Sequence, residues 1–410
     1  MSSHSRLRHI SNHNWNTLRT SPWSEVSGAL GDLGTLLPLL IALTLQGSIS
    51  FSSTLVFSGL ANILTGLYYG IPLPVQPMKA IASIAISSSF SKTETASAGF
   101  FVAACVLLLS ITGLLHYFTR IVPLPVIRGI QIAAGLSLII SAGSSLLQPL
   151  HWITPALNNH LLTLLAFLLL LLSAIRPLPS ALLITSIALL LSLVSLLLSP
   201  SPTSAPYIWH PHLLLPTPPT FLHASLKAGL PQLPLTTLNS ILAVSSLASS
   251  LSPPLPAAPT PTSLGLSVGL INLVAPWFAA MPVCHGSGGL AGQYRFGARS
   301  GASVVLLGLV KLLLGLFVGE TALPLLQRFP RGMLGVMVLA AGVELARVGR
   351  EGMERDEDWA AALVTVAGCL AFRNDGVGFA VGMVWVWGMR AGRRWKGRGS
   401  GEEEPLLGAA

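Results

Sequence analysis

Apolar segments follow one another along nearly the whole of this 410-residue chain, and only 9% of its residues are charged, against roughly 25% in a soluble domain. With so little polar surface to show to water, the chain folds in a bilayer, where every backbone N–H and C=O must find its partner inside the protein. That requirement makes any break in the apolar pattern informative. Two short stretches, Ile71-Pro72-Leu73-Pro74-Val75-Gln76-Pro77-Met78-Lys79 and Met281-Pro282-Val283-Cys284-His285-Gly286-Ser287-Gly288-Gly289, bring proline, glycine and polar residues into the middle of it. Each follows a similar segment. Gly59-Leu60-Ala61-Asn62 and Ile71-Pro72 reappear 210 positions later as Gly269-Leu270-Ile271-Asn272 and Met281-Pro282. The chain reads as an internal duplication.

Stretches of about twenty apolar residues, with shorter ones admitted where protein surrounds a break, number fourteen: 24–45, 51–70, 75–90, 96–116, 121–141, 160–174, 179–199, 225–250, 263–282, 284–298, 301–318, 332–346, 358–372 and 375–391. With the N-terminus in the cytosol, fifteen of the twenty-three Lys and Arg fall inside and five outside, and Lys79, Arg128 and Lys311 lie within spans. The positive-inside rule is met three to one. Fourteen spans divide into two sets of seven, and an odd number per set inverts the second relative to the first. The expected fold is therefore an all-α polytopic membrane protein with two inverted seven-segment repeats, broken into half-helices at segments 3 and 10. Its parts are a cytosolic N-terminal tail (1–22), a first repeat (23–199), a Pro/Ser-rich loop (200–224), a second repeat (225–391) and a cytosolic C-terminal tail (392–410). Paired Gly/Pro-interrupted segments at matching places in two such halves point to the binding site of a secondary transporter.

Other classes fit poorly. The net charge of +9 comes mainly from segment ends and tails, as membrane orientation requires, and does not call for a nucleic-acid partner. Cys105, Cys284 and Cys369 stand singly in apolar segments, a spacing that suggests neither a disulfide framework nor a metal site. The neighbours Cys284 and His285 supply too few ligands for zinc. There is no Gly-x-x-x-x-Gly-Lys-Ser/Thr loop for ATP, and no nucleophile and base at a useful spacing for an enzyme. No cofactor is implied.

The run Gly31-Asp32-Leu33-Gly34-Thr35-Leu36-Leu37-Pro38, followed by Pro72 to Ala82, resembles the eukaryotic molybdate transporter family, a relative of the sulfate permeases. The resemblance extends to Leu230-Pro231-Gln232-Leu233-Pro234-Leu235-Thr236-Thr237-Leu238-Asn239-Ser240, to Cys284 through Arg299 and to Asn374-Asp375-Gly376-Val377-Gly378-Phe379. It implies a fourteen-span core and gate, with an oxyanion held between the facing half-helices of segments 3 and 10. The partners it implies are molybdate, protons as coupling ion, the bilayer and a second copy of the chain in a homodimer. The alternatives are a carrier of sulfate or another tetrahedral oxyanion, a nucleobase permease and a non-transporting molybdate sensor.

Such a site has a physical basis of its own. A helix that starts in mid-membrane leaves its first N–H groups unpaired, and its dipole adds partial positive charge there, so two facing starts form a cradle for an anion. One helix N-terminus contributes about 0.3 to 2 kcal/mol, so a dianion needs further donors. The candidates are Gln76 and Lys79 on the first break, Ser287, Gly288 and Gly289 on the second, and Thr35 and Gln232 nearby. A displacement of 200 lays Gly31-Asp32-Leu33-Gly34 over Pro231-Gln232-Leu233-Pro234 and pairs Asp32 with Gln232. The resemblance implies that related nucleobase permeases place carboxylates where Gln232 and Ser287 stand, and an amide and a hydroxyl suit an oxyanion better. Asp32 is read as a proton carrier or as the ion-pair partner of Lys79, locking segments 1 and 3. Gln76 and Gln232 have a plainer reading as partners for unwound backbone.

The tail sequence Glu402-Glu403-Glu404-Pro405-Leu406-Leu407 has the form of an acidic dileucine sorting signal. Localisation is thus expected at the vacuolar or the plasma membrane. If the signal acts, removing Leu406 and Leu407 moves a fluorescently tagged protein away from the vacuolar membrane. An unchanged distribution leaves the run as a solvated acidic tail.

Overall fold

The computed structural model describes residues 3–176, 178–199, 208–251, 259–350 and 353–400. Helix α1 (Ser3–Thr20) is followed by an apolar helix broken at Gly31-Asp32 into α2 (Pro22–Ala29) and α3 (Leu33–Leu45). α4 (Phe51–Tyr69) begins under the Ser50 hydroxyl, which accepts from the Ser53 amide, and ends at Gly70 with φ +71°, a left-handed stop that glycine takes without steric cost. The chain then runs extended into β1 (Val75–Pro77) and turns into the ten-residue α5 (Lys79–Ser88). α6 (Lys92–Ile111), opened by a capping box between Ser91 and Glu94, leads to α7 (Leu114–Ile121), α8 (Leu124–Ser141), α9 (His160–Ile175) and α10 (Ser180–Leu198).

The second half opens on one irregular helix. α11 (Pro218–Ala224), α12 (Leu230–Pro234) and α13 (Val244–Leu251) are joined by the π-helical turns Ser225–Gly229 and Leu235–Ala243. α14 (Pro261–Val274) then leads to β2 (Val283–His285) and the nine-residue α15 (Ser287–Arg295). The remaining helices are α16 (Ala302–Phe317), α17 (Leu323–Gln327), α18 (Arg331–Gly349), α19 (Asp356–Phe372) and α20 (Asp375–Ser400).

Among the described residues, seven helices are long and apolar enough to cross a membrane, or up to eight if the pair Ala302–Phe317 and Gly319–Gln327, bent by 109°, counts as one span. This is a polytopic helical membrane protein. Other expected segments coincide with helices too short or irregular for that test, such as α5, α9, α15 and the α11–α13 composite. The helices differ in what they face. Only 28% of the apolar window of Ser180–Leu198 is buried, against 78% for Arg331–Gly349, so the first turns its leucines to lipid and the second is enclosed by protein.

Where the chain is extended, the two breaks satisfy each other. β1 and β2 pair antiparallel, with Val75 opposite His285, Gln76 opposite Cys284 and Pro77 opposite Val283. The duplicated asparagines complete the arrangement. The Asn62 carbonyl oxygen accepts from the Val75 amide at 2.7 Å; that of Asn272 accepts from the Val283 amide at 2.7 Å, while its NH2 donates to the Val283 carbonyl at 2.6 Å. Each helix thus holds the strand that follows it.

α4 and α16 cross antiparallel on small residues spaced by seven. A Cβ added at Gly59 would stand 2.8 Å from the Gly308 carbonyl oxygen, one at Gly301 2.1 Å from that of Gly66, and one at Gly315 2.9 Å from that of Ser52. The backbones touch. α6 packs on α14 and α8 on α18 in the same antiparallel manner.

Three details differ from the sequence expectation. Pro218–Ala224 is helical, so the second half starts inside the expected loop 200–224; proline at the first helical position costs no hydrogen bond. Residues 208–217 of that loop are irregular but fixed: the Trp209 amide donates to the Leu316 carbonyl and the Leu214 amide to the Trp277 carbonyl. The N-terminal tail is a docked helix, with Ile10 fully buried and Asn14 bridging the Gly66 carbonyl and the Gly301 amide at 2.9 Å each.

The crossing gives a direct test. Gly308→Val should destabilise the protein by about 1–3 kcal/mol, the usual range for forced overpacking, seen as a lower unfolding midpoint in detergent. Gly388→Val, where an added Cβ meets nothing within 4 Å, should leave the midpoint unchanged.

Candidate functional site

Both half-helices start in the buried centre, where β1 gives way to α5 through Met78 and β2 to α15 through Gly286. Neither first turn is capped by its own preceding side chain. The two starts are completed differently. At α5, the Gln232 carbonyl oxygen reaches across from α12 and accepts from the amides of Ala80 at 2.9 Å and Ile81 at 3.3 Å, and the Gln232 NH2 donates to the Thr236 hydroxyl at 2.9 Å. Gln232 is a helix cap supplied by a distant segment, the plainer of its two sequence readings.

At α15 the amides of Ser287, Gly288 and Gly289 have no partner among the described residues. The residue that the duplication aligns with Gln232 is Asp32, and it is engaged elsewhere. Its Oδ1 accepts from the Thr35 hydroxyl at 2.6 Å and from the Gln76 side-chain amide. Gln76 also donates to Thr35 at 3.3 Å. This places Thr35, Asp32 and Gln76 in one network and sets the Gln76 side chain across the start of α15. A Cβ at Gly289 would fall 2.4 Å from Gln76 Nε2, and one at Gly286 1.8 Å from its Oε1. Glycine is required there so that Gln76 can lie against the helix start. The result is an asymmetric cradle, with one helix N-terminus capped and one open.

The candidate residues therefore come together, with altered roles. Ser287 donates to the Asn239 side-chain carbonyl at 2.6 Å, on the π-helical turn Leu235–Ala243. A π-turn widens the helix and often marks a functional place, and Asn239, part of the 230–240 motif, joins the group through Ser287. The expected Asp32–Lys79 ion pair is not formed among the described residues. Lys79 is half-buried at the start of α5, within electrostatic range of Asp32 but also of Asp375 and Cys284. A second lysine within electrostatic range of Asp32, likewise without a direct ion pair to it among the described residues, is Lys311, which is 3% exposed and donates to the Val75 carbonyl at 3.4 Å. The signal was a single lysine in the middle of an apolar span.

Cys284 and His285 diverge, as successive residues of a strand must. The Cys284 sulfur accepts from Ser240 at 3.2 Å, while the His285 ring meets the Ser267 hydroxyl at 3.0 Å and packs edge-on to Tyr69. His285 is turned away from the cradle, towards α14. Three further acidic residues have structural partners: Glu344 pairs with Arg347 at 2.7 Å, Glu320 accepts from Ser50 and Ser52 at the start of α4, and Glu25 accepts from the Arg299 and Ser303 amides.

With the geometry of the two breaks described, comparison with known proteins gives the family. The profile of a family described as "Molybdate transporter of MFS superfamily" matches residues 24–138 and 224–345, more than half of the chain. The chain belongs to the molybdate transporter family. It is 38% identical to Molybdate transporter 2 of Arabidopsis thaliana, covering 88% of this chain and 86% of that protein, and 39% identical to Molybdate transporter 1 of the same plant, covering 92% and 91%. Molybdate transporter 1 of Chlamydomonas reinhardtii is 33% identical over 89% and 91%.

This member of the family has the fold of two solved anion transporters. The transmembrane domain of the cyanobacterial bicarbonate transporter BicA aligns with TM-score 0.56 at 14% identity, over 88% of this chain and 96% of that one. SLC26A9 aligns with TM-score 0.55 at 14% identity, over 90% of this chain and 65% of that one.

The cap on α5 can be tested separately from function. In Gln232→Leu the amides of Ala80 and Ile81 lose their acceptor, at a cost of about 0.5–2 kcal/mol typical of a lost helix cap. Hydrogen exchange should speed up in α5 and stay unchanged in α15. Equal exchange in wild type and variant would remove Gln232 from the capping role.

Proposed function

We propose that this protein is a secondary active transporter of molybdate that binds the oxyanion at the open N-terminus of α15, between the two half-helices. The observation that carries this reading is the trio of amides at Ser287, Gly288 and Gly289 without partners among the described residues, with Lys79 at the start of the other half-helix. Amides aimed into a water-poor site, together with the helix dipole and an ammonium group, select for negative charge. Gln76, Thr35, Ser287 and Asn239 set the geometry around the opening, and Gln232 keeps α5 intact. The names of the relatives support molybdate as the ion.

The packing supports fourteen segments in two inverted sets of seven. Numbered along the chain, α4 and α16 are segments 2 and 11, and α14 and α6 are segments 9 and 4. Exchanging the halves turns the first pair into the second, and both pairs are in contact. The contact of α19 with α8 and that of α18 with α9 are related in the same way. The strand pair obeys the same exchange about Gln76 and Cys284. Such reciprocity belongs to inverted repeats, in which one bundle rocks or slides against the other around a fixed site.

Proton symport is the coupling this reading favours. Carrying a dianion against about 100 mV costs roughly 4.6 kcal/mol, twice the single-charge figure, and accompanying protons offset that cost. At the vacuolar membrane the same machinery would deliver the anion to the cytosol; the dileucine run that suggests this location lies outside the described residues.

The test is uptake of radiolabelled molybdate by proteoliposomes, with and without an imposed pH gradient and with excess sulfate as competitor. Uptake should saturate, survive sulfate and rise with an inward proton gradient. It should fall about tenfold or more in Gln76→Ala and Ser287→Ala, a loss equivalent to about 1.4 kcal/mol. Complete competition by sulfate would make this a general sulfate-class carrier, and binding without uptake would make it a sensor.

A further inference from the structure

We propose that Asp32 and Lys311 form a buried charge pair behind β1, and that this pairing leaves Lys79 free to meet the substrate anion. The proposal about Lys79 rests on the anion-site reading above; the pairing itself does not. Asp32 is 2% and Lys311 3% exposed, so neither charge is stabilised by water. A buried charge persists when an opposite charge compensates it.

Each of the two groups is incomplete, and the other carries the opposite charge. Asp32 Oδ1 has two donors, but its Oδ2 is buried with none. The Lys311 ammonium has three N–H donors and, among the described residues, a single neutral acceptor, the Val75 carbonyl, at the long distance of 3.4 Å. Val75 and Gln76 are neighbours on β1, so Lys311 holds one residue of the strand and Asp32 holds the next. Neither Lys311 nor Lys79 makes a direct ion pair with Asp32 among the described residues; Lys311 and Asp32 face each other's charge across Val75 and Gln76 of β1, which they hold. Gly59 makes this possible, since a Cβ there would lie 3.2 Å from Lys311 Cβ, where α16 approaches α4.

Lys79 is placed differently. It stands half-buried at the first position of α5. Asp375, also in its range, begins α20, where that helix's own dipole offsets part of the carboxylate charge. Once Asp32 and Lys311 cancel, Lys79 and two helix N-termini, each worth roughly half a charge, provide about two positive charges for a dianion. Pairing Lys79 with Asp32 would give the same sum, but the unpaired cation would then be Lys311, sealed behind the strand where no ion reaches it.

The pair is tested on ligand-free, detergent-purified protein by the unfolding midpoints of Asp32→Asn, Lys311→Met and the double variant, with Asp32→Asn/Lys79→Met as comparison. Each single change at the pair should lower the midpoint by several degrees, because it strands the other charge. Asp32→Asn/Lys311→Met should return close to wild type, and Asp32→Asn/Lys79→Met should melt no higher than Asp32→Asn. If Lys311→Met gives no folded protein, recovery of folded protein in the double variant carries the same meaning. A double variant as unstable as its weaker single, or rescue by Lys79→Met instead, overturns the pairing. Lys79→Met should keep the wild-type midpoint and raise KM for molybdate uptake at least tenfold; an unchanged KM removes Lys79 from the site. If the wild-type protein neither binds nor carries molybdate, the functional reading fails while the midpoints still decide the pair.

Discussion

The architecture depends on the cost of an unpaired backbone amide where there is no water. An unbroken helix satisfies its own backbone, so a break in mid-membrane is stable only if other groups replace the missing hydrogen bonds. Here the replacements are few and specific. The two breaks pair with each other as strands, Asn62 and Asn272 anchor the strands to the preceding helices, and Gln232 closes the start of α5. One set of amides, at the start of α15, is left over. A binding site for an anion is, in this sense, a place where the internal repair is incomplete.

The incompleteness follows from a difference between the halves. Both copies place a side chain able to accept hydrogen bonds next to the central strands. In the second half it is an amide, Gln232, whose carbonyl oxygen reaches the facing helix. In the first it is a carboxylate, Asp32, drawn into the network with Thr35 and Gln76. A carboxylate at the open helix start would compete with any anion for the same amides. Gln76, set between Asp32 and the Gly289 backbone, separates the negative charge from the open helix start proposed as the anion site.

Much of this was legible in the sequence. The duplicated Gly-Leu-x-Asn and x-Pro patterns located both breaks, and the short segments after them are helices that begin where the glycine, proline and polar residues suggested. Asn62 and Asn272 lay in the repeated motif, although their role as strand anchors did not follow from the repeat alone. The strand pairing was not readable, since three residues are too few for an alternating pattern to show. The π-turn around Asn239 also left no periodic trace beyond Pro231 and Pro234, which lack the amide a regular helix would use. The Asp32–Lys79 ion pair expected from the sequence is not formed among the described residues, and Lys311 is brought to the central strand by the glycines of the α4–α16 crossing, whose contacts only the folded bundle reveals.

Those glycines also determine how the molecule can move. Residues 52, 59 and 66 meet 315, 308 and 301 in a single antiparallel register, and sliding either helix by one residue would drive side chains into backbone. α4 and α16 therefore form one plank rather than two sliding rods. The cradle is bolted to it at two points, through Asn62 and through Lys311, both on the strand at its centre. In the transport cycle proposed above, opening one side and closing the other would then come from displacing the plank as a whole, with the lubricated surfaces at its edges.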